Sequence, residues 1–323
     1  MAFHKKGEIE NICIYGIGGV GGYFGGKIAC QLSQSRDKKR TVSFIARGKH
    51  LEEIRKNGLT LNTSENERLL CRPTVTADNM EEIPKPDLCL LCVKGYDLVD
   101  AAKEINKQIR EDTMIIPLLN GVDIHERVRA NMSRGIVFPS CLYVSAQIEK
   151  PGTVTQKGKN GIILCGRDSA IPDFNQEQLI DFFGQVGIDF KWVDNPFPAI
   201  WEKYVFIAPF GLVTACFDRT LGQVQEEKEL KELTIKIMEE VVLLAKAKEI
   251  ELPEDIVRNS LEMAKNFPYE TTTSFQRDIK AGKKSEGDLF GGTIIRMAKE
   301  TGVAAPVTET IYSKILEKLE ASN

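Results

Sequence analysis

A glycine-rich turn near the start of the chain limits the folds open to it more than any other segment does. Residues 12–21 read ICIYGIGGVG, which places Gly16, Gly18 and Gly21 in the spacing G-x-G-x-x-G. Between a strand and a helix, this spacing binds the pyrophosphate of a dinucleotide. The first glycine permits a tight turn, the second lets backbone N–H groups approach the phosphates, and the third lets the helix pack closely. The helix N-terminus offers partial positive charge to the anion; the alternative is an ordinary structural turn.

The whole turn is assigned to cofactor binding, namely Gly16, Ile17, Gly18, Gly19, Val20 and Gly21. The end of the next predicted strand indicates which dinucleotide binds. NAD-selective sites place an acid there, whereas a basic residue suits the 2′-phosphate of NADP. Arg47 stands at this position with Lys49 close behind, and no acid is present at the junction. Because Arg47 offers a planar fork to phosphate, the sequence favours NADP(H), with a solvated basic turn as the alternative.

Short apolar runs alternate with helical patterns over the first part of the chain, which predicts βαβ units and a parallel sheet. The predicted strands are Ile9–Tyr15, Thr41–Ala46, Leu88–Val93, Met114–Leu119 and Gly135–Cys141. The predicted helices are Val20–Ser33, Leu98–Ile109, Asp123–Ala130 and Asp173–Gln185. Thr153–Thr155 and Gly161–Cys165 are interpreted as later antiparallel strands, and Phe190–Val193 as one further strand.

The turn-rich segment Asp194–Pro198 marks a break, beyond which helical periodicity dominates. One apolar stripe runs from Leu230 to Leu244, and Pro306 is placed to open the last helix. The sequence therefore predicts an α/β fold: a Rossmann-type dinucleotide-binding domain over residues 1–195, then an all-helical substrate and catalytic domain over residues 196–323. The striped helices pack against one another or against a second subunit, so a homodimer through the helical domain stays open.

Composition and charge exclude several classes of function. A net charge of −3 gives no basic surface for nucleic acid. No apolar run reaches the length of a membrane span, and residues 1–8 lack a signal-peptide core, so we expect a cytoplasmic protein. The eight cysteines lie in apolar segments without paired metal spacing, which predicts small core residues and no metal site. Cys89 and Cys92 lie inside one strand-like run, so a redox or zinc motif is the less favoured interpretation.

Two candidate site residues follow predicted strands, beyond whose carboxyl ends open α/β sheets bind ligands. Lys94 follows one such strand, and Asn120 follows the next. A strand-end lysine that reaches solvent and an ordinary Asn-Gly turn are equally good interpretations.

The helical half supplies three more candidates. Lys203 has only apolar residues one helical turn away, so it either extends to water or is desolvated and able to transfer a proton. Glu286 precedes an apolar helical stretch, where the alternative is a first-turn acid that complements the helix dipole. Ser274 is interpretable as a helix-start hydroxyl.

Taken together, these residues resemble the ketopantoate reductase family (2-dehydropantoate 2-reductases) over nearly the whole chain. The resemblance is carried by the glycine turn, Arg47, Lys94, Asn120-Gly121, Trp201-x-Lys203, Ser274 and Glu286. Such enzymes reduce 2-dehydropantoate to pantoate with NADPH, a step toward pantothenate and coenzyme A. The resemblance implies cofactor contacts from the glycine turn, Arg47, Lys94, Asn120, Ser145 and Glu286. It also implies that Lys203 is the proton donor, that Asn120 and Glu286 are catalytic, and that Lys203, Asn120 and Ser274 bind a small 2-oxo acid.

The chain differs from this family at the positions that bind the substrate. Well-studied relatives have substrate-binding asparagines four and eight residues after the lysine and a third further on, where this chain has Ile207, Gly211 and Leu221. Polar contacts carry much of the discrimination among small substrates. The favoured interpretation is NADPH-dependent reduction of 2-dehydropantoate. The alternatives are a reductase of another small 2-oxo acid and a non-catalytic NADP-binding sensor.

Overall fold

The computed structural model describes residues 8–35, 39–65, 67–168 and 170–321. Residues 1–7 lie outside the described residues. The expectation that residues 1–8 lack a signal-peptide core therefore falls almost wholly outside the described part of the chain. The chain divides into two compact units. The first comprises Met1–Leu119 and Ile124–Pro196, and the second comprises Asn120–Asp123 and Phe197–Asn323.

The first unit contains two sheets and the helices between their strands. Its strands are β1 Asn11–Tyr15, β2 Thr41–Ile45, β3 Leu59–Asn62, β4 Arg68–Cys71, β5 Val75–Ala77, β6 Leu88–Leu91, β7 Met114–Pro117, β8 Ile136–Val137, β9 Ser140–Lys150, β10 Thr153–Gly166 and β11 Asp189–Val193. Its α-helices are α1 Gly19–Gln34, α2 Gly48–Asn57, α3 Leu98–Gln108, α4 Ile124–Arg129 and α5 Glu177–Gln185. Short 3-10 turns lie at Met80–Glu82 and Gly95–Asp97.

The larger sheet has the strand order β5-β2-β1-β6-β7-β8, and each of its pairings is parallel. Tyr15 at the end of β1 pairs with Ile45 on one side and Leu91 on the other. The direction in which strands are added reverses between β1 and β6, and such a switch point is where doubly wound sheets bind ligands. The glycine turn follows β1 directly, so the sheet topology places it at this point.

The smaller sheet corrects the strand predictions. The two short strands expected at Thr153–Thr155 and Gly161–Cys165 are ends of one strand, β10. It is antiparallel to β9 but parallel to β3 and β11. The strand predicted over Gly135–Cys141 is divided between β8 and the beginning of β9.

The second unit is helical. Its helices are α6 Phe197–Phe217, α7 Leu221–Glu226, α8 Lys228–Ala247, α9 Ile256–Ala264, α10 Ser274–Lys280, α11 Thr293–Thr301 and α12 Pro306–Ala321, with a π-helical turn at Asp288–Gly292. Pro306 opens α12 as predicted, and the apolar stripe from Leu230 lies in α8. A parallel α/β half followed by a helical half confirms the predicted fold class.

Helix α6 corrects one expectation about membranes. It has 21 residues and a mean hydropathy of 1.3, which is long and apolar enough to cross a bilayer. The sequence prediction that no run reaches this length was therefore wrong. However, 72% of the most apolar 18-residue stretch of α6 is buried inside the protein. Buried residues also occur all around the helix. This pattern is typical of the central helix of a helical domain.

The cysteines are core residues, as predicted. All eight are free and buried. Burial raises the pKa of the Cys92 thiol well above its ordinary value, which keeps the sulfur protonated and unreactive. Among the described residues, no cluster of histidine, cysteine or acidic side chains is arranged to hold a metal ion.

Candidate active site

The glycine turn has the geometry that close approach to a phosphate requires. Gly16 has φ +96°, and a Cβ there would lie 2.9 Å from the Cys92 carbonyl oxygen. A Cβ on Gly21 would collide with the Gly16 carbonyl oxygen. A Cβ on Gly18 would meet nothing within 4 Å, so the turn faces open space there. The first and third glycines thus serve packing, and the second leaves room beside the backbone.

The beginning of α1 is suited to an anion. Gly18 occupies the capping position and has no side chain to cap the helix, and the first turn holds no acidic residue. The orphan N–H groups and the dipole of a 16-residue helix are therefore not neutralised by its own first turn. These features fit a dinucleotide pyrophosphate.

Strand β9 passes directly beside this turn. A Cβ on Gly19 would collide with the Ala146 carbonyl oxygen. The preceding residue, Ser145, is exposed on the same strand. The structure therefore brings Ser145 into the neighbourhood of the glycine turn, although the two are far apart in sequence.

Arg47 lies at the end of β2 in a cluster that the sequence did not reveal. It is exposed and occupies the position before α2. The hydroxyl of buried Tyr15 donates a hydrogen bond to Glu104, whose other carboxylate oxygen accepts from the Met80 N–H at 3.1 Å. Burial and Glu104 raise the pKa of Tyr15, and the adjacent Arg47 guanidinium opposes that rise. Tyr15 thus links a fixed carboxylate to the Arg47 guanidinium.

No acid follows β2 in the sequence, yet Glu104 reaches this corner from α3. Only one signal could have indicated the cluster: a tyrosine that ends strand β1 directly after three apolar residues. Glu104 itself had no sequence signal. It lies on the amphipathic helix α3 beside the buried Ile105, and this pattern is ordinary for such a helix.

His50 connects α2 to the turn between β9 and β10. Its Nδ1 accepts the Gly152 N–H at 3.0 Å. Burial lowers the pKa of His50, and the nearby Ile17 backbone carbonyl opposes this shift. Because Nδ1 is an acceptor, the ring is neutral with its proton on Nε2. His50 therefore lies between Ile17 of the glycine turn and Gly152.

Lys94 lies beyond β6, as expected for a strand-end residue. It is half-buried and occupies the position before the 3-10 turn Gly95–Asp97. Its backbone carbonyl accepts the Asp97 N–H at 2.9 Å. The backbone of Lys94 is therefore fixed by the turn that follows it.

In the second unit, the structure joins two residues that the sequence offered separately. Lys203 Nζ donates a hydrogen bond to Asn120 Oδ1 at 2.8 Å. Both residues are half-buried, and Asn120 belongs to the short segment that joins this unit from the end of the first sheet. The lysine does not simply extend into water, since the amide oxygen fixes the position of its ammonium group.

Glu286 lies just before a π-helical turn that is anchored to α6. The hydroxyl of Tyr204, the residue after Lys203, bonds the carbonyl oxygens of Leu289 and Phe290 at 2.7 and 2.9 Å. The Leu289 N–H in turn donates to the Glu286 carbonyl at 3.0 Å. Glu286 is only 7% exposed, whereas a first-turn acid serving the helix dipole alone is usually solvated. π-Helical turns occur frequently at functional sites.

The segment that carries Asn120 is also held at its other end. Asp123 accepts the Thr293 hydroxyl at 3.1 Å and lies 3.9 Å from Arg296. Arg296 in turn bonds Asp288 in the π-helical turn at 3.2 Å. Sequence reasoning missed this network, because it joins Asp123 to a segment that lies more than 160 positions further along the chain.

Ser274 is exposed and is the first residue of α10. The residue that caps this helix is Thr273, whose hydroxyl accepts the Gln276 N–H at 3.1 Å. Ser274 is thus a helix-start residue, as the alternative interpretation had it, but the capping hydroxyl is that of Thr273.

Comparison with known proteins covers both halves of the chain. The family model "Ketopantoate reductase PanE/ApbA" matches residues 12–169, and the model of the C-terminal part of the same family matches residues 197–319. A 2-dehydropantoate 2-reductase of Pyrococcus horikoshii is 26% identical over 310 residues, covering 95% of this chain and 97% of that protein.

Solved structures agree with this assignment. The crystal structure of 2-dehydropantoate 2-reductase from Porphyromonas gingivalis has a TM-score of 0.81 and 29% identity, covering 96% of this chain and 100% of that chain. A D-mandelate dehydrogenase solved with NADH and anilino(oxo)acetate shares the fold, with a TM-score of 0.82 and 21% identity over 96% of this chain and 99% of that chain. With both halves matched, the chain belongs to the ketopantoate reductase family of oxidoreductases.

Proposed function

We propose that this protein is an NADPH-dependent reductase of 2-oxo acids and that 2-dehydropantoate is its first candidate substrate. The observation that carries the proposal is the hydrogen bond between Lys203 and Asn120. The other half of the chain contains the glycine turn, whose geometry suits a dinucleotide. Residues 1–195 form the NADP-binding domain of this proposal, and residues 196–323 form the substrate and catalytic domain.

The cofactor is held by the first unit. The N–H groups at the beginning of α1 bind the pyrophosphate, and the Arg47 guanidinium binds the 2′-phosphate that distinguishes NADP from NAD. Lys94 and Ser145 contribute further polar contacts to the cofactor. When bound, NADPH supplies the hydride for the ketone carbon and leaves as NADP⁺.

Lys203 supplies the proton that balances the hydride. As the carbon–oxygen double bond becomes a single bond, negative charge collects on the oxygen. The Lys203 ammonium donates a hydrogen bond to that oxygen and then transfers its proton, so its contribution grows toward the transition state. The products are a secondary alcohol and a neutral lysine, which takes a proton back from solvent.

Asn120 and Glu286 position the reacting groups. The Asn120 amide oxygen takes one of the three N–H donors of Lys203 and thereby orients the other two. Glu286 provides a buried acid beside the segment anchored to α6, and it contacts the cofactor as well as the catalytic centre. Ser274 offers its hydroxyl to the substrate carboxylate, the group that all 2-oxo acids share.

The test is to follow NADPH oxidation with 2-dehydropantoate and with a panel of other small 2-oxo acids. Turnover of 2-dehydropantoate above the other acids supports the first candidate. Preference for another acid supports a second candidate function, the reduction of a different small 2-oxo acid. This candidate is favoured by the apolar Ile207 one turn beyond Lys203. Tight NADPH binding without turnover of any acid would refute a reductase and favour a non-catalytic sensor.

A further inference from the structure

The face of α6 that carries Lys203 is apolar for its next two turns. Residues three, four, seven and eight positions further on share this face, and they are Phe206, Ile207, Phe210 and Gly211. Phe206 and Ile207 are half-buried, whereas Phe210 and Gly211 are buried. The accessible side-chain surface immediately beyond the lysine on this face therefore comes from an aromatic ring and a branched aliphatic group.

Aromatic rings close this face from behind. A Cβ on Gly211 would lie 3.7 Å from the rings of Phe275 and Phe290, whose centroids are 5.4 Å apart. Phe206 stacks on Phe267 with 5.7 Å between ring centroids. The apolar wall consists of Phe206, Ile207, Gly211, Phe275 and Phe290.

Two hydroxyls on this side, those of Thr214 and Thr273, are already engaged. Thr214, the next polar residue along the same face, is fully buried and bonds the Phe210 carbonyl at 2.7 Å and the Thr273 hydroxyl at 2.9 Å. Thr273 also caps α10. A substrate hydroxyl against the apolar wall would therefore lose water without gaining a partner from these groups.

We infer that the site beside Lys203 selects 2-oxo acids with a branched or aromatic apolar substituent and does not read a hydroxyl on that substituent. The inference rests on the proposed function and concerns only the group attached to the keto acid. The reaction is unchanged: one hydride and one proton add across the ketone as NADPH is oxidised. A site built to bond a substrate hydroxyl rejects the analogue without it by about 10⁴-fold or more, whereas an apolar pocket discriminates weakly.

The test compares two substrates that differ by one oxygen atom, 2-dehydropantoate and 3,3-dimethyl-2-oxobutanoate, which has a methyl group in place of the hydroxymethyl group. We expect kcat/KM with NADPH to be equal for the two acids or higher for the one without the hydroxyl, by up to about 100-fold. A preference for 2-dehydropantoate of about 100-fold or more would overturn the inference.

A substitution in the apolar wall gives the second arm of the test. Ile207→Asn adds an amide one turn from Lys203, and we expect it to shift the ratio of kcat/KM values toward 2-dehydropantoate by at least about tenfold. Ile207→Leu keeps the apolar surface, and Ile180→Asn makes the same chemical change at an exposed site on α5; both should leave the ratio as it was. An unchanged ratio in Ile207→Asn would contradict the inference.

Failure of the proposed function is distinguishable from failure of this inference. If neither acid is reduced, their dissociation constants with the NADP⁺-loaded protein decide the matter by calorimetry. Tighter binding of the acid without the hydroxyl supports the inference even though the reductase proposal has failed. Tighter binding of 2-dehydropantoate, or no binding of either acid, overturns it.

Discussion

Among single residues, Arg47 has the best-defined surroundings on the cofactor side. Its guanidinium lies beside the Tyr15 hydroxyl, and Tyr15 in turn is bonded to Glu104. Glu104 also accepts the Met80 N–H, so its carboxylate is fixed by the 3-10 turn Met80–Glu82. Arg47 is exposed, so its guanidinium is accessible to a phosphate at this corner of the first unit.

Replacement of Arg47 tests its proposed role with NADP. We expect Arg47→Ala to raise the KM for NADPH by about ten- to a hundredfold, as for the loss of charged hydrogen bonds, and to change the KM for NADH little. Steady-state kinetics with both cofactors measures this. Lys56→Ala removes the same charge from an exposed site further along α2 and is the control. Equal changes for the two cofactors would count against a contact with the 2′-phosphate.

His50 should make the first unit sensitive to acid. Burial holds its pKa below the ordinary value of 6.5, so the unfolded chain binds the proton more readily than the folded one. The stabilisation is therefore complete above about pH 6.5 and is lost as pH falls below it. His50→Gln retains an acceptor for the Gly152 N–H but does not titrate. Chemical unfolding between about pH 5 and pH 7 should show a weaker pH dependence in this variant; equal slopes would contradict the assignment.

The sequence named most of these residues but not their partners. Lys203 and Asn120 were separate candidates, each with a reasonable structural alternative, and they are 83 positions apart. No local pattern predicts a contact of that range. The network around Asp123 is equally non-local, whereas the packing glycines could be predicted because their reason is local: a tight turn and a close helix.

At the scale of elements, local signals account for what could be predicted. Helices α8 and α12 follow from the apolar stripe that begins at Leu230 and from Pro306. Strands β3, β4 and β5 and helix α2 were missed because they are short or weakly patterned. Strand β10 was divided in two because its exposed middle residues interrupt the apolar pattern. A long strand that joins several neighbours is fixed by pairing, which sequence periodicity does not reveal.

Helix α12 depends on a carboxylate from another helix, which gives a test of stability. Glu240 on α8 is buried and accepts the N–H groups of Val307 and Thr308 at 2.8 and 3.0 Å. Its loss leaves these N–H groups without their acceptor, so Glu240→Ala should lower the free energy of unfolding by about 1–3 kcal/mol. Denaturant unfolding measures this. Glu239→Ala, at the exposed neighbouring position, should have little effect; equal losses would contradict the capping role.

Over the whole molecule, the two units divide the proposed work. The first has the glycine turn and Arg47, which suit a dinucleotide with an extra phosphate. The second has Lys203 and Asn120, which suit proton transfer to a ketone oxygen. Loss of the lysine should therefore affect the chemical step and leave cofactor binding nearly intact.

The most direct measurement pairs turnover with NADPH affinity in Lys203→Ala. We expect kcat for the best 2-oxo acid to fall by about 100-fold or more, as for loss of a general acid, while the dissociation constant of NADPH changes by less than about threefold, within the scatter of one lost weak contact. Lys228→Ala, at an exposed site at the beginning of α8, serves as the charge control. Losses of similar size in turnover and in NADPH affinity would contradict the role of Lys203 as proton donor.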